Sequence, residues 1–193
     1  NCDKVPLMMN RRTFLAALGA AAATPRYLRA ATSTFNLSVL TDEISQDFGH
    51  ACEVAAKEFG MGFVDLREDG GKNLMKWDAA QIADVQRVLE RFKLRVACLA
   101  TPIFKALAGR AQVPFSPKRD EFGADFTYKD QDQLLEHAFE LAKAFNTDRI
   151  RIFDFWRLED QKPHRAAIDD VVRAAAAKAA KRGVTLVLEN EYA

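Results

Sequence analysis

From residue 36 onward, short apolar segments alternate with amphipathic helical segments, and this order limits the folds open to the chain. The predicted strands cover residues 36–41, 62–67, 94–101, 149–156 and 184–191. The predicted helices cover residues 47–59, 78–92, 131–145 and 163–182. Strands that alternate with helices form a parallel sheet with right-handed crossovers. Two architectures fit, an open doubly wound sheet and a closed (β/α)₈ barrel.

Helix start and stop residues support this division. Asp78 suits an N-cap, Pro163 suits a first helical turn, and Gly60 and Gly183 follow two of the helices. The first helix is expected to bury one apolar face, made of Phe48, Ala51, Cys52, Ala55, Ala56 and Phe59. The long segment 102–129 is rich in glycine, proline and charge, and loops of this length inside compact domains are often functional.

The distribution of polar residues favours the barrel over the open sheet. No Gly-rich phosphate-binding turn follows the first predicted strand, and no GxGxxG or P-loop motif occurs in the chain. Polar residues instead collect at the C-terminal ends of the strands, where barrel enzymes build their active sites. A complete barrel needs about 250 residues. We therefore predict the first five strands and four helices of a parallel (β/α)₈ TIM barrel, as a fragment.

The first 31 residues have the composition of a secretion signal. Arg11 and Arg12 precede Thr-Phe-Leu and a short alanine-rich apolar run, too short for the roughly 20 residues that span a bilayer. This arrangement resembles a bacterial twin-arginine export signal. The resemblance implies the twin-arginine machinery as a partner, cleavage near Ala30 or Ala31, no stable membrane span, and a periplasmic or extracellular protein. We expect residues 1–31 to be leader and signal peptide, and residues 32–193 to be the barrel part.

Charge and cysteine content exclude several functions. Residues 32–193 hold 23 basic and 26 acidic side chains, which argues against nonspecific nucleic-acid binding. Cys2, Cys52 and Cys98 show neither disulfide-framework nor zinc-site spacing. His50, His137 and His164 fall on predicted helices, so we expect surface or capping roles for them.

The segment 185–191, Thr-Leu-Val-Leu-Glu-Asn-Glu, is the sharpest functional signal. Glu189 and Glu191 would point to one side of the strand, at the mouth of the barrel, where carboxylates serve as metal ligands or general bases. Charged residues also end strands simply on reaching solvent, so this segment alone leaves both interpretations open.

Three segments carry a resemblance to a known family. They are Val-Asp-Leu-Arg at 64–67, Arg-Ile-Arg-Ile-Phe at 149–153, and Leu-Glu-Asn at 188–190 after a helix that ends Lys-Arg-Gly-Val-Thr. They resemble strands two, four and five of the xylose isomerase-like barrel superfamily, which includes sugar phosphate isomerases, sugar 3-epimerases, inosose dehydratases and the endonuclease IV group. The similarity covers residues 36–193.

The resemblance implies that Glu189 binds a divalent metal and moves a proton. The other ligands, an Asp, a His and a second Glu, are expected beyond residue 193, so we expect the fragment alone to be inactive. Oxygen-rich sites suit Mg²⁺ or Mn²⁺, and a histidine favours Mn²⁺; Zn²⁺ and Co²⁺ remain open. The function implied is isomerisation or epimerisation of a sugar. Export favours a free sugar or cyclitol over a phosphorylated one.

Residues near the strand ends supply candidate substrate contacts. Trp156 would stack on a sugar face and Arg157 would bind hydroxyl or phosphate groups, whereas core packing is the alternative role for the tryptophan. Phe104, Lys105 and Glu68 occupy similar positions. We expect Asp65 and Arg151 to form a structural ion pair inside the barrel, because buried charges need partners.

Two alternatives to a sugar isomerase stay open. An endonuclease IV-like metal hydrolase would need several zinc-binding histidines, and the second and third predicted strands end without one. A non-catalytic carbohydrate-binding barrel would keep the aromatic residues and lose the metal ligands of the later strands. The strand pattern carries no information on oligomeric state.

Overall fold

The computed structural model describes residues 35–108, 126–158 and 160–190. The chain divides into two compact units, Asn1–Phe35 and Asn36–Ala193, and every element below lies in the second. The predicted signal peptide, the predicted boundary after residue 31, Glu191 and residues 109–125 of the long segment lie outside the described residues. Within the described ranges, no helix combines the length and the apolar character needed to cross a membrane.

The elements of the first half begin with two short helices. They are α1 (Thr41–Ile44), α2 (Phe48–Glu53) with a π-helical turn (Val54–Glu58), β1 (Phe63–Leu66), β2 (Glu68–Asp69), β3 (Lys72–Asn73), a 3₁₀ turn (Leu74–Lys76), α3 (Ala79–Phe92) and β4 (Arg95–Ala100). The second half contains a 3₁₀ turn (Tyr128–Asp130), α4 (Gln131–Ala144), β5 (Arg149–Ile152), α5 (Lys162–Ala180) and β6 (Thr185–Leu188).

Four of the strands form one parallel sheet in the order β1-β4-β5-β6. This confirms the predicted parallel sheet with helical crossovers. Helices cover one face, against which Val64, Leu66, Leu99, Ile150 and Ile152 are buried. Because side chains alternate along a strand, the opposite face carries Asp65, Cys98, Ala100, Arg151 and Val187. That face would be the interior of a barrel.

Local capping explains where the helices begin and end. The Asp78 carboxylate accepts a hydrogen bond from the backbone N–H of Gln81, 2.9 Å away, and so caps α3 as predicted. Pro163 lies in the first turn of α5, where its missing N–H costs no helical hydrogen bond. Gly183 follows α5 with φ +69°, a backbone conformation that glycine adopts without strain.

Three predictions about elements were wrong. The first predicted strand, 36–41, pairs with β1 only at a single bridge between Leu40 and Asp65, because the chain turns into α1 at Thr41. Strand four ends at Ile152 rather than at residue 156. Phe59 is 55% exposed, because the π-helical turn adds a residue to the helix and rotates this side chain away from the buried face.

The structure also contains a small element that was not predicted from the sequence. Between β1 and α3 the chain forms the antiparallel hairpin β2–β3, turning at Gly70 and Gly71, which have φ +56° and +73°. The indole N–H of Trp77 donates to the carbonyl of Lys72 at 2.9 Å and ties the hairpin to the core.

Candidate functional site

Glu189 lies directly after β6, at the C-terminal end of the sheet. Its backbone N–H donates to the carbonyl of Ile152 at 2.9 Å, so the residue continues the pairing of β6 with β5. Its carboxylate accepts a hydrogen bond from Arg151 Nη1, with 2.8 Å between Nη1 and Oε2. The Glu189 side chain is 41% exposed and that of Arg151 is 14% exposed. The carboxylate is therefore held on one side and open to solvent on the other.

Arg151 is anchored to the end of the neighbouring strand, β4. Its Nη2 donates to the carbonyls of Ala100 at 3.0 Å and Thr101 at 3.2 Å. In return, the Thr101 hydroxyl donates to the Arg151 carbonyl at 2.6 Å. These contacts satisfy carbonyl groups where the ladder of β4 ends, and they fix the plane of the guanidinium.

The predicted ion pair between Asp65 and Arg151 was wrong. Asp65 lies on β1 and pairs in register with Cys98 of β4, whereas Arg151 lies on β5. Strands are about 4.8 Å apart, so these residues are separated by roughly 10 Å of sheet. Glu189 follows the adjacent strand, β6, and reaches Arg151 directly.

Asp65 is instead a partly satisfied carboxylate. Its Oδ2 accepts from the Ser38 hydroxyl at 3.0 Å, and its Oδ1 is buried with no hydrogen-bond partner among the described residues. Burial raises the pKa of Asp65, while the Ser38 hydrogen bond, the nearby backbone N–H of Cys98 and the charge of Arg151 oppose this shift. Beside it, burial and then the charge of Asp65 raise the pKa of the Cys98 thiol to about 11, so the thiol stays protonated.

A second group of side chains surrounds the ring of Phe153, which follows β5. The Nζ of Lys105 lies 4.7 Å from the centre of this ring and 5.7 Å from that of Trp156. The Cζ of Arg151 lies 4.8 Å from the same Phe153 ring centre. The structure thus brings together three predicted site residues, Glu189, Lys105 and Trp156, through Arg151 and Phe153.

The backbones after β4 and β5 run alongside each other and position this group. The N–H of Phe153 donates to the carbonyl of Ile103, and that of Trp156 donates to the carbonyl of Ala106, each at 2.9 Å. Phe155 adopts φ +72°, which is rare for a residue with a side chain. Such backbone conformations persist where surrounding contacts enforce them, commonly near functional sites.

The other predicted substrate contacts lie in different surroundings. Phe104 is only 3% exposed, and its ring packs on Phe155 with 5.0 Å between the ring centres. Arg157 is exposed at the end of the segment that follows β5. Glu68 is half-buried and begins the β2–β3 hairpin.

A separate charged cluster lies at the C-terminal end of β1. Arg67 donates from Nε to Asp42 Oδ2 at 2.7 Å and from Nη2 to Glu43 Oε1 at 2.6 Å. Asp42 has a side chain only 1% exposed, so this pair is buried and structural in character. It connects α1, which replaces the end of the first predicted strand, to the main sheet.

The described residues alone do not make a metal site. Among them, no group of three or more His, Cys, Asp or Glu side chains converges closely enough to hold an ion. Glu189 contributes one carboxylate, and one of its oxygens already binds Arg151. Divalent metals in proteins take several protein ligands. Any metal bound at Glu189 would need further ligands from outside the described ranges.

Arg151 and Phe153 were not predicted as members of this group. Both follow the alternation that puts Glu189 on the interior face, since Arg151 pairs in register with Val187, two residues before Glu189. Counting alternate positions along the predicted strands could have placed both on the interior face, although not in contact with Glu189.

Comparison with known proteins supports the fold. No family model and no curated protein matches the chain. A xylose isomerase-like TIM barrel protein from Mycobacterium smegmatis in complex with magnesium matches with TM-score 0.55 and 12% identity, over 82% of this chain and 56% of that one. The described part of this chain has the fold of part of a TIM barrel, a parallel sheet of strands that alternate with helices.

Two further similar structures are enzymes of different classes. A D-allulose 3-epimerase from Methylomonas sp., in complex with D-allulose, matches with TM-score 0.50 and 17% identity over 80% of this chain and 51% of its own. An AP endonuclease, family 2, from Brucella melitensis matches with TM-score 0.50 and 19% identity over 78% of this chain and 53% of its own. The chain spans about half the length of these three structures.

Proposed function

We propose that this chain is the N-terminal part of a divalent-metal-dependent sugar isomerase or epimerase that acts on a free sugar or cyclitol. The observation that carries the proposal is the position of Glu189. Its carboxylate lies at the C-terminal end of β6, half open to solvent, where TIM-barrel enzymes place their reactive groups. The D-allulose 3-epimerase among the similar structures supports the choice of reaction.

In this proposal Glu189 is the base that moves a proton on the sugar. Epimerisation next to a carbonyl removes a proton from carbon, and isomerisation proceeds either by that proton removal or by a hydride shift. On the proton-transfer route a positioned carboxylate can take the proton and return it. A bound divalent metal would polarise the substrate carbonyl. We propose Mn²⁺ or Mg²⁺, held by Glu189 and by ligands that residues beyond 193 would supply, and the magnesium complex among the similar structures supports a divalent ion.

Trp156 is the substrate contact that the geometry supports best. Its half-buried ring lies 5.7 Å from Lys105 Nζ, and that ammonium lies 4.7 Å from the Phe153 ring, which also contacts Arg151. An indole ring offers an apolar face for a sugar ring. Lys105 is buried, only 7% exposed, and with Arg157, Glu68 and Phe104 it stays a prediction as a substrate contact.

The test is activity of the longer protein that contains this chain, assayed with Mn²⁺ against a panel of free sugars and cyclitols. Glu189→Gln keeps the size of the side chain and removes the base, so kcat is expected to fall about 10²- to 10⁴-fold. Glu90→Gln, at an exposed carboxylate on α3, is the matched control and should retain activity. Full turnover by Glu189→Gln would exclude this residue as the base.

The same panel separates the alternatives. Cleavage of DNA at abasic sites, without sugar turnover, would favour the endonuclease, a possibility supported by the AP endonuclease among the similar structures. Sugar binding with no bound metal and no turnover would favour a non-catalytic carbohydrate-binding barrel.

We also propose that residues 1–31 direct export through the twin-arginine machinery to the periplasm or beyond. The support is the Arg11-Arg12 pair before a short apolar run. Residues 1–35 fused to a folded reporter should carry it out of a bacterial cytoplasm. Replacing both arginines with lysine keeps the charge and should stop export. Export of the lysine variant at the original rate would contradict the proposal.

A further inference from the structure

Arg151 joins the ends of three adjacent strands, and this is the starting observation. The residue lies on β5, its guanidinium binds the carbonyls of Ala100 and Thr101 at the end of β4, and it binds the Glu189 carboxylate after β6. A side chain that only neutralised Glu189 would not need the two carbonyl contacts. A side chain that only satisfied the end of β4 would not need the carboxylate.

The geometry restricts the Glu189 carboxylate on one side only. Nη1 engages Oε2 at 2.8 Å, while Nη2 is occupied by the β4 carbonyls. The guanidinium is planar, so its contact with β4 fixes the direction from which Nη1 approaches. Phe153 lies against the guanidinium, with 4.8 Å between Cζ and the ring centre, and restricts it further. Oε1 makes no hydrogen bond with any residue that the structure describes.

We propose that Arg151 is a positioning residue that fixes the rotamer of Glu189, holding Oε2 and presenting Oε1 to the reacting centre. This inference rests on the proposed function for one point, the identity of the group that Oε1 contacts, which is either a metal or a substrate proton. The positioning itself does not depend on that function, because it follows from contacts within this chain. Preorganised groups at fixed orientation contribute to catalysis because no reorganisation is needed during the reaction.

Two substitutions separate the shape of the guanidinium from its charge. Arg151→Lys keeps the positive charge and loses the planar fork, so one ammonium cannot hold the β4 carbonyls and the carboxylate in the same geometry. Arg151→Gln removes the charge. The matched control is Arg149→Gln, on the same strand, whose exposed side chain binds Asp148 with 3.0 Å between Nη1 and Oδ1.

The first readout needs neither metal nor substrate. In the longer protein, carboxylates are labelled with a carbodiimide and an amine, and the rate at Glu189 is measured by mass spectrometry against that at Glu90. Loss of a hydrogen bond to a charged group corresponds to about a tenfold effect or more. We therefore expect Glu189 to be labelled about tenfold faster in Arg151→Gln and in Arg151→Lys. Arg149→Gln should match the unsubstituted protein.

The second readout is turnover, and it separates positioning from a purely structural role. In folded Arg151→Ala we expect kcat to fall about tenfold or more with little change in KM, because the interaction acts on the base rather than on substrate binding. Added guanidinium ion should restore part of the lost kcat, and should have no such effect on Glu189→Gln.

The outcomes distinguish this inference from the proposed function. If the unsubstituted protein turns over no sugar, the proposed function fails and the labelling rates alone decide whether Arg151 positions Glu189. If Arg151→Gln does not fold, Arg151→Lys decides. Unchanged labelling at Glu189 in the folded variant, or a lysine variant equal to the unsubstituted protein, overturns the positioning role.

Discussion

Asp65 shows how strand register decides the behaviour of one side chain. A shift in register between Val64 and Asp65 pairs Asp65 with Cys98, and Arg151 donates to Glu189 instead. The carboxylate keeps the Ser38 hydrogen bond but leaves Oδ1 buried without a partner among the described residues. A buried carboxylate with incomplete hydrogen bonding favours its neutral form.

This arrangement predicts a pH dependence of stability. Burial raises the pKa of Asp65 in the folded state above its ordinary value of about 3.9. The folded protein therefore holds this proton more tightly than the unfolded chain does. The stabilising contribution is complete below about pH 3.9 and is lost as the pH rises through the higher folded-state pKa.

Asp65→Asn tests this dependence, because asparagine can still accept from Ser38 and does not ionise. Unfolding in urea, measured from about pH 3.5 to pH 7, should show the variant gaining stability relative to the unsubstituted protein as the pH rises. Asp84→Asn is the control, since the exposed Asp84 makes only a surface ion pair with Arg87. A stability difference for Asp65→Asn that does not change with pH would contradict the prediction.

For single residues, the sequence predicted positions along the chain better than it predicted which side chains contact each other. Glu189 and Trp156 could be placed at strand ends and Lys105 at the start of the long segment, and the structure connects them through Arg151 and Phe153. The partner of Glu189 could not be predicted, because it depends on how far β5 and β6 are offset along the sheet. A one-residue change of register would direct Arg151 to the other face.

At the scale of elements, periodicity and capping residues located most of the chain. The predicted helix 131–145 corresponds to α4 (Gln131–Ala144), and the predicted helix 163–182 corresponds to α5 (Lys162–Ala180). Two of the failures have a common cause, since strand 36–41 and hairpin β2–β3 depend on pairing between segments. Strand propensity reflects packing against neighbours, which a single segment does not reveal.

The cap of α3 gives a prediction at this scale. Asp78→Ala removes the acceptor for the Gln81 backbone N–H and should lower the free energy of unfolding by about 1 kcal/mol. Asp84→Ala, within the same helix, removes only the exposed contact with Arg87 and should cost less than about 0.5 kcal/mol. Urea unfolding of both variants measures the difference. Equal costs would mean that the cap contributes no more than a surface ion pair.

At the scale of the whole molecule, the main feature is β6, an outer strand of the sheet among the residues that the structure describes. β6 pairs with β5 on one side, and Val187 and Leu188 are 40% and 52% exposed. Their register partners, Arg151 and Ile152, lie one strand further in, and Ile152 is only 2% exposed. Exposed apolar edge strands promote association and are usually covered in folded proteins. A TIM barrel removes such edges by closing the sheet.

The proposed longer protein should therefore bury Leu188, and one pair of substitutions measures this. In residues 36–193 alone, Leu188→Ala should cost less than about 1 kcal/mol, because half of the side chain already contacts water. In the longer protein, where a further strand and helix would cover β6, the same change should cost about 2–3 kcal/mol. Ile152→Ala, at the register partner, should cost about 2–5 kcal/mol in both lengths, because Ile152 is buried by this chain alone. Urea unfolding of the two lengths gives the free-energy cost of each substitution in each length. An equally small cost of Leu188→Ala in both lengths would mean that no further strand or helix covers β6. That result would remove the basis for a closed barrel.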